Sequence, residues 1–599
     1  MPDQLPPAHL LARYREPLLA HLTALYPPDQ ATTTLAALLQ RLAAFLATYE
    51  RRGDDRHPRL ARLTARDAML ITYGDQVREP GRAPLATLHD WLRQHLGDAI
   101  TCVHLLPFYP YSSDDGFAVI DYTRVDPNLG DWSDIERLSR AYRLMFDAVI
   151  NHVSAQSAWF QAFLAGDPRY RDWFIVVDEP VDLSLVTRPR THPLLTRFET
   201  AGGAHYVWTT FSADQIDLNF ANPEVLLAIL DVLLLYVARG ASFLRLDAIG
   251  YLWKTIGTRC IHLPQTHRVV QLIRTVLDVV APEVLLITET NVPHRDNISY
   301  FGDGRNEAQL VYQFPLAPLV LHAFHSGSTR YLQTWARELA TPSAETAFFN
   351  FLASHDGIGV QPAIDILSPA ELQALVHMTE RHGGRVSYKT NSDGSLSAYE
   401  LNITLMDALS DPATTPEAVA IERLLTANAI MLALAGLPGI YIHSLVGSHN
   451  DHEGLHRTGH NRAINRRKWQ RQAIDAELAQ PHSRAAQVLR RFLHLLRQRG
   501  TTPAFAPSAP QTVLDAPDGV FALLRATPDG SEAVVCLHNV TPRAQPVRVQ
   551  PGAALEARPA VWRDLIGGVR MTPEADGTLA VELPPHAALW LWAGAGRED

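Results

Sequence analysis

The chain has 599 residues, too many for one ordinary hydrophobic core, so several domains are expected. It is 47% hydrophobic and 19% charged, and 53 basic against 63 acidic residues leave a net charge of −10, which excludes a field that would attract nucleic acid. Cys102, Cys260 and Cys536 are too few and too scattered for a disulfide framework or a thiolate zinc site, and a reducing cytoplasm is expected.

The first twenty-odd residues mix acidic and basic side chains where a secretory signal needs an unbroken apolar stretch. Residues 8–48 then carry a helical apolar period through Leu10, Leu11, Leu18, Leu22, Leu35, Leu38 and Leu42. Pro27 and Pro28 split it into at least two helices, a predicted N-terminal extension over residues 1–65 that could cover the rest of the chain or a partner subunit. An arginine-rich link, Arg51–Arg62, follows. The most apolar runs, Val225–Ala238 (broken by Asp231) and Ala429–Ile442, fall short of the roughly 20 residues that a membrane span requires.

From residue 68, short apolar runs alternate with helical segments: Ala68–Tyr73, Thr101–Leu106, Leu144–Ile150, Phe243–Leu246, Val284–Thr288, Leu310–Gln313, Ala347–Leu352 and Gly439–Ile442. Eight such strands are the number that closes a parallel (β/α)8 TIM barrel, predicted over residues 66–498. The alternation alone also fits an open doubly wound sheet, but no glycine-rich dinucleotide fingerprint follows any of the runs. Two long stretches interrupt the pattern. Residues 154–220, an inserted domain, read as irregular with no clear helix; 360–402, and especially Gly383–Asn402, read as a variable loop. Beyond 499, alternating runs predict a C-terminal antiparallel β domain over 499–599. In it Trp590 and Trp592 share a strand face and suit core or interdomain packing better than a surface sugar site.

Three strand ends carry chemistry. In Phe243-Leu-Arg245-Leu-Asp247, alternate residues share a face, so Arg245 lies beside Asp247 and holds that carboxylate ionised, as a nucleophile requires. Glu289 follows the apolar Leu285-Leu-Ile-Thr288, where partial burial raises a carboxyl toward general-acid use. In Ser354-His355-Asp356-Gly357 the glycine permits a sharp turn aiming His355 and Asp356 inward. Each has an ordinary reading: a structural ion pair, a solvated strand-end glutamate, a plain turn. Together they set three carboxylates at the ends of strands four, five and seven of one barrel. A retaining glycosidic displacement uses two carboxyls roughly 5–5.5 Å apart, one attacking and one shuttling the proton.

With Asp147-Ala-Val-Ile-Asn151-His152, these segments resemble the four signature regions of the α-amylase family, glycoside hydrolase family 13, in order and on the expected strands. The segments Val103–Tyr109, Asp114-Asp115-Gly-Phe, Phe211–Asp217 and Ser354–Gly359 resemble its sucrose phosphorylase branch, and Ile287–His294, Tyr300–Asp303 and Tyr388–Asn402 are most similar to glucosylglycerate phosphorylases. Sucrose phosphorylases tend to carry His where Asn291 stands, which weighs against sucrose. The resemblance implies Asp247 as nucleophile, Glu289 as acid/base and Asp356 as transition-state stabiliser. It places Asp114, His152, Gln215, Arg245, His355 and Arg462 around a glucose, with Phe211 and Tyr251 as apolar surface. It puts Arg190, Tyr399 and Glu400 at the phosphate or acceptor. The implied reaction is phosphorolysis of an α-glucoside, with 2-O-α-D-glucosylglycerate as the preferred substrate, to α-glucose 1-phosphate. No cofactor is implied, and no metal at Asn151, although many members of the family bind calcium near that residue.

Sucrose, sucrose 6-phosphate or glucosylglycerol phosphorolysis, and hydrolysis or transglucosylation on the same residues, stay open, as does a homodimer. A catalytically dead scaffold is opposed by the three intact carboxylates. Lys389, Arg385 and Arg457 stand as partners for an anionic acceptor. The histidines 443, 449, 452, 456 and 460 lack metal-site spacing and suit sugar or acceptor contacts, and the basic run Asn461–Lys468 is too short for nucleic acid.

Overall fold

The computed structural model describes residues 6–50, 59–391, 393–552 and 561–594; most of the arginine-rich link, at 51–58, lies outside the described residues. Eight strands, Met69–Thr72, Cys102–Leu105, Arg143–Ala148, Ala241–Leu246, Leu285–Thr288, Leu310–Tyr312, Ala347–Phe351 and Leu437–Tyr441, close a barrel in which every neighbouring pair is parallel. Met69 pairs with both Cys102 of strand two and Gly439 of strand eight, and that closure rules out the open sheet. Nearly every strand residue is buried, so the strands read as continuous apolar runs rather than alternating ones.

The two N-terminal helices, Pro7–Leu25 and Pro28–Leu46, break where the prolines predict, with Pro28 at the first helical position. They cover the barrel. Leu10, Leu18, Leu22, Leu35, Leu38 and Leu42 join the same buried core as the strands, on the order of 10 kcal/mol of apolar burial before chain entropy is subtracted. They pack on helices Pro223–Ala238 and Pro264–Val280, and Arg41 stands 3.1 Å from Asp231. The charge that interrupts the most apolar run of the chain is thus paired across this contact. No helix among the described residues is long and apolar enough to cross a membrane.

Both insertions are more ordered than their composition suggests. Residues 154–220 contain a helix, Ala158–Leu164, and a hairpin of Leu195–Thr200 with Gly203–Trp208. The helix has only seven residues, too short for a periodic signal. Ser157 caps it, and Phe160 packs against Phe163, Phe174 and Phe198. The stretch expected as a loop at 360–402 holds helix Pro369–Arg381, with a Ser368–Glu371 capping box, and a hairpin of Arg385–Thr390 with Leu396–Asn402. The hairpin strands carry few apolar residues and shift register at Ser387/Tyr388, which hides their alternation.

The five alternating runs of the C-terminal region are strands, all joined antiparallel to a neighbour in two sheets, the larger of which takes in three short additional strands. Trp590 is fully buried 4.8 Å from Phe505, in the core shared with the barrel, so this strand face seals the two parts together. Arg499 reinforces the join: its buried guanidinium donates to the carbonyls of Asp67, Leu432 and Phe505.

Candidate active site

The C-terminal strand ends converge on one guanidinium. Arg245, inside strand four and 1% exposed, donates from Nη1 to Asp147 of strand three and to Asp247 Oδ1 at 2.7 Å. Its Nη2 lies 3.8 Å from Glu289 Oε2, just past strand five. Asp247 follows strand four directly, and Ala248, left-handed at φ 47°, turns its N–H onto Glu289 Oε2 at 3.1 Å. The backbone turn after Asp247 therefore holds Glu289. Asp147, bonded also to His104 Nε2 at 2.6 Å, is held down to about 2 despite burial because the Arg245 guanidinium and the His104 hydrogen bond face it.

Asp247 and Glu289 are both raised, first by burial and then by neighbouring carboxylates, while Arg245 pulls both the other way. Two carboxyls in one dry site cannot both ionise freely, so the pair retains one proton into the neutral range. Arg245 touches Asp247 and only approaches Glu289, so its charge favours ionisation of Asp247 over Glu289.

Asp356 is fixed from the other side. Arg462 Nη1 lies 2.7 Å from Asp356 Oδ1, while its Nε and Nη2 grip Glu400 in a bidentate pair at 3.2 and 2.7 Å. Arg466 donates to the His355 carbonyl at 2.7 Å and to Asp115 at 2.8 Å. These cations outweigh burial and hold Asp356 well below the usual carboxylate range. Gly357 is needed for proximity rather than for a left-handed turn. A Cβ there would meet Glu400 Cβ at 2.8 Å and the Leu401 carbonyl at 3.0 Å, where the hairpin crosses the strand-seven loop.

A pocket opens between these groups. Asp247, Glu289 and Asp356 line it with Asp114, His152, Gln215, His355, Arg462, Phe211, Tyr251, Arg190, Tyr399 and Glu400. Arg245, expected on its wall, lies beneath the carboxylates instead and acts through them. His152 Nε2 and Gln215 Nε2 converge on the Phe117 carbonyl at 2.9 and 3.1 Å, and the His355 ring stacks on Phe117 at 4.8 Å. Arg190 stands over the rings of Phe211 and Tyr399 at 5.7 and 5.3 Å and has no carboxylate partner among the described residues. Glu400, expected at the phosphate, has both oxygens on Arg462 and is buried.

Several residues here carry no local sequence signal. Arg466 is four residues beyond Arg462 in the basic run set aside as a nucleic-acid site, and three of that run's four cations are paired internally, with Lys468 2.6 Å from Asp75. Lys254 comes from the loop after strand four; its ammonium reaches Asp217 Oδ2 at 2.6 Å and Asn151 Oδ1 at 2.8 Å, so a cation sits beside Asn151. Among the described residues no group of His, Cys, Asp or Glu is arranged to hold a metal ion. Of the histidine cluster, His460 lines the space that adjoins this pocket at Asp114, Arg190, Glu400 and Arg462, and the other four line neither. His443 is buried against Ser448 at 2.9 Å and His449 bonds Asp407, so these two brace the strand-eight loop.

Residues 91–361 match the family described as alpha amylase, catalytic domain, and 511–590 match the maltogenic amylase C-terminal domain. The chain is 52% identical over 539 residues to glucosylglycerate phosphorylase of Allomeiothermus silvanus, covering 90% of this chain and 95% of that one. It is 49% identical over 529 residues to glucosylglycerate phosphorylase of Spirochaeta thermophila, with 88% and 89% covered. The crystal structure of sucrose 6F-phosphate phosphorylase from Thermoanaerobacter thermosaccharolyticum superposes with a TM-score of 0.71 at 25% identity, covering 85% of this chain and 98% of that one.

Proposed function

The chain belongs to the α-amylase family, and on that premise we propose that it is a retaining α-glucoside phosphorylase acting on 2-O-α-D-glucosylglycerate. The observation that carries the chemistry is the shared guanidinium: Arg245 contacts Asp247 and reaches toward Glu289, leaving an ionised nucleophile beside a protonated acid. The likeness to two glucosylglycerate phosphorylases along nearly the whole chain supports the substrate.

In the first step an Asp247 oxygen attacks the anomeric carbon while Glu289 gives its proton to the departing glycerate oxygen, and a β-glucosyl ester forms. Asp356, kept ionised by Arg462 and Arg466, faces the positive charge that develops on the sugar ring. In the second step a phosphate oxygen attacks the same carbon, its proton returns to Glu289 and the ester bond breaks. The product is α-glucose 1-phosphate, with configuration retained. His152, Gln215, His355 and Asp114 surround the glucose. Arg190 offsets the repulsion between phosphate and the carboxylates, with Tyr399 supporting its guanidinium. Glu400 acts indirectly by fixing Arg462.

Reverse phosphorolysis tests this. Supplied with α-glucose 1-phosphate and a panel of glycerate, glycerol, fructose and fructose 6-phosphate, the enzyme should release phosphate fastest with glycerate. Glycerate inert while fructose reacts, or glucose released from glucosylglycerate independently of phosphate, would overturn the reading.

A further inference from the structure

The loop after strand four forms a wall of the pocket that the catalytic scheme leaves unassigned. Ile261 and His262 line the pocket together with Tyr251, Thr290 and Asn291, residues next to the nucleophile turn or to Glu289. The loop is built under constraint, with Cys260 at φ 49° and His262 at φ 54°, left-handed conformations that persist only where surrounding contacts enforce them. Those contacts are present. His262 N–H donates to the Gly250 carbonyl at 2.9 Å, and Thr187 N–H donates to the Arg259 carbonyl at 3.0 Å. The His262 ring packs so close to Gly250 that a Cβ there would lie 3.0 Å from its Cε1. Its Nδ1 shares a 2.8 Å hydrogen bond with the Tyr300 hydroxyl.

The other ring nitrogen, Nε2, is buried with no partner among the described residues, and so is Asn291 Oδ1. A buried polar atom without a partner is uncommon, and two on one pocket wall indicate a polar group that arrives from outside. Burial pushes His262 down to about 4, so the ring is neutral and carries one proton. The bond to Tyr300 can be made with the hydroxyl as donor, and in that tautomer the ring proton is on Nε2.

Charge on this side is unbalanced. Neither Arg259 nor Arg190 has an ion-pair partner among the described residues, and neither does Lys389 of the hairpin, which pairs across the strands with Ser397, itself two residues from Tyr399. Burial and then the charge of Arg259 lower the Lys389 ammonium, while the charges of Arg190 and Arg259 both oppose the burial that raises the Tyr251 hydroxyl. Arg190 thus lines the pocket, and Arg259 is close enough to Tyr251 and to Lys389 for its charge to act on both.

Resting on the phosphorylase reading above, we propose that the loop 256–263 selects an anionic leaving group. The Nε2–H of His262 donates to the carboxylate of the departing hydroxy acid, and Arg259, with Lys389 facing it, supplies a field that a neutral acceptor does not use. Phosphate enters the place the acid has left, so the same cations serve both half-reactions.

The test is a ratio, kcat/KM for glycerate over kcat/KM for glycerol, measured in the reverse reaction from α-glucose 1-phosphate. Histidine at a left-handed φ can be replaced by asparagine with little backbone strain, so His262→Asn removes the reach of Nε2 while suiting the turn. The ratio should fall by about tenfold or more, the effect of losing one hydrogen bond to a charged group. In Arg259→Gln, at an exposed position, it should fall about threefold and lose much of its dependence on ionic strength. General damage to the site lowers both terms and leaves the ratio alone. If His262→Asn fails to fold, Tyr300→Phe, which removes only the hydroxyl that sets the ring proton, is read by the same ratio. Wild-type enzyme inert toward glycerate overturns the functional reading and this proposal together. Wild-type enzyme that uses glycerate, with an unchanged ratio in the variants, overturns the proposal alone.

Discussion

Replacing Lys254 with methionine removes the cation from a pair that solvent cannot reach. The ammonium is 2.6 Å from Asp217 Oδ2, with the two side chains 3% and 0% exposed, and 2.8 Å from Asn151 Oδ1. Breaking a buried pair from one side costs about 3–5 kcal/mol, because the remaining charge stays buried. Asp217 would keep the Thr210 N–H and O–H, each at 2.7 Å, and the Asn151 amide at 3.0 Å, which places the expected loss near the lower end, about 3 kcal/mol. Adding Asp217→Asn removes the stranded charge, and the double variant should recover about 2 kcal/mol of that loss. Urea unfolding of wild type, both single variants and the double variant, followed by tryptophan fluorescence through the same transition, measures this coupling. The strand ending at Asp217 pairs with His152–Ser154 and carries Gln215, so Lys254→Met should also raise KM for the glucosyl donor about tenfold. A double variant as unstable as the sum of the singles would refute the pairing argument.

Asp247→Asn should lower phosphorolysis by about 10⁴-fold or more, read as release of α-glucose 1-phosphate. Glu289→Gln should cost about 10²–10⁴-fold on glucosylglycerate, yet act on α-glucosyl fluoride within about tenfold of wild type, since fluoride needs no proton to leave. The pH profile of kcat/KM should rise as the Asp247–Glu289 pair loses its first proton and fall as it loses its second. Burial raises both carboxyls, so the falling limb belongs well above the ordinary carboxylate range of about 4; a limb centred there would remove the shared-proton account. Arg190→Ala should raise KM for phosphate about tenfold or more and shift product toward free glucose, measured by the ratio of glucose to glucose 1-phosphate.

The barrel was legible because each strand is short, buried along nearly its whole length and followed by a helix, so apolar runs and strands coincide. The reacting carboxylates were legible because they sit at or just past strand ends, beside a motif residue such as Arg245. What was missed has no periodicity to betray it. The hairpin at 385–402 is polar and bulged, and the helix at 158–164 depends on aromatic neighbours distant in sequence. Arg466 and Lys254 act only through partners brought close by folding: Asp115, 351 positions earlier, and Asn151, 103 earlier. Gly357 shows that a correct residue can have a second reason: the chain bends at His355–Asp356 and both line the pocket, as the turn reading expects, and the glycine also lets Glu400 pass within contact.

The distribution of arginine explains how a chain of net charge −10 can admit two anions in succession. Arg245, Arg462 and Arg466 are committed to Asp147, Asp247, Glu400, Asp356 and Asp115, so their charge is spent inside the protein on keeping carboxylates ionised and in place. None of that charge is left to attract phosphate. Arg190 lines the pocket without an ion-pair partner among the described residues, and on the proposal above it, Arg259 and Lys389 are the cations that an incoming anion meets. Net charge sums the two sets and conceals the division. The separation also keeps the two duties from interfering. A phosphate competing for Arg245 or Arg462 would release Asp247 or Asp356 from the contact that holds its charge, so anion binding has to rest on cations the carboxylates do not use.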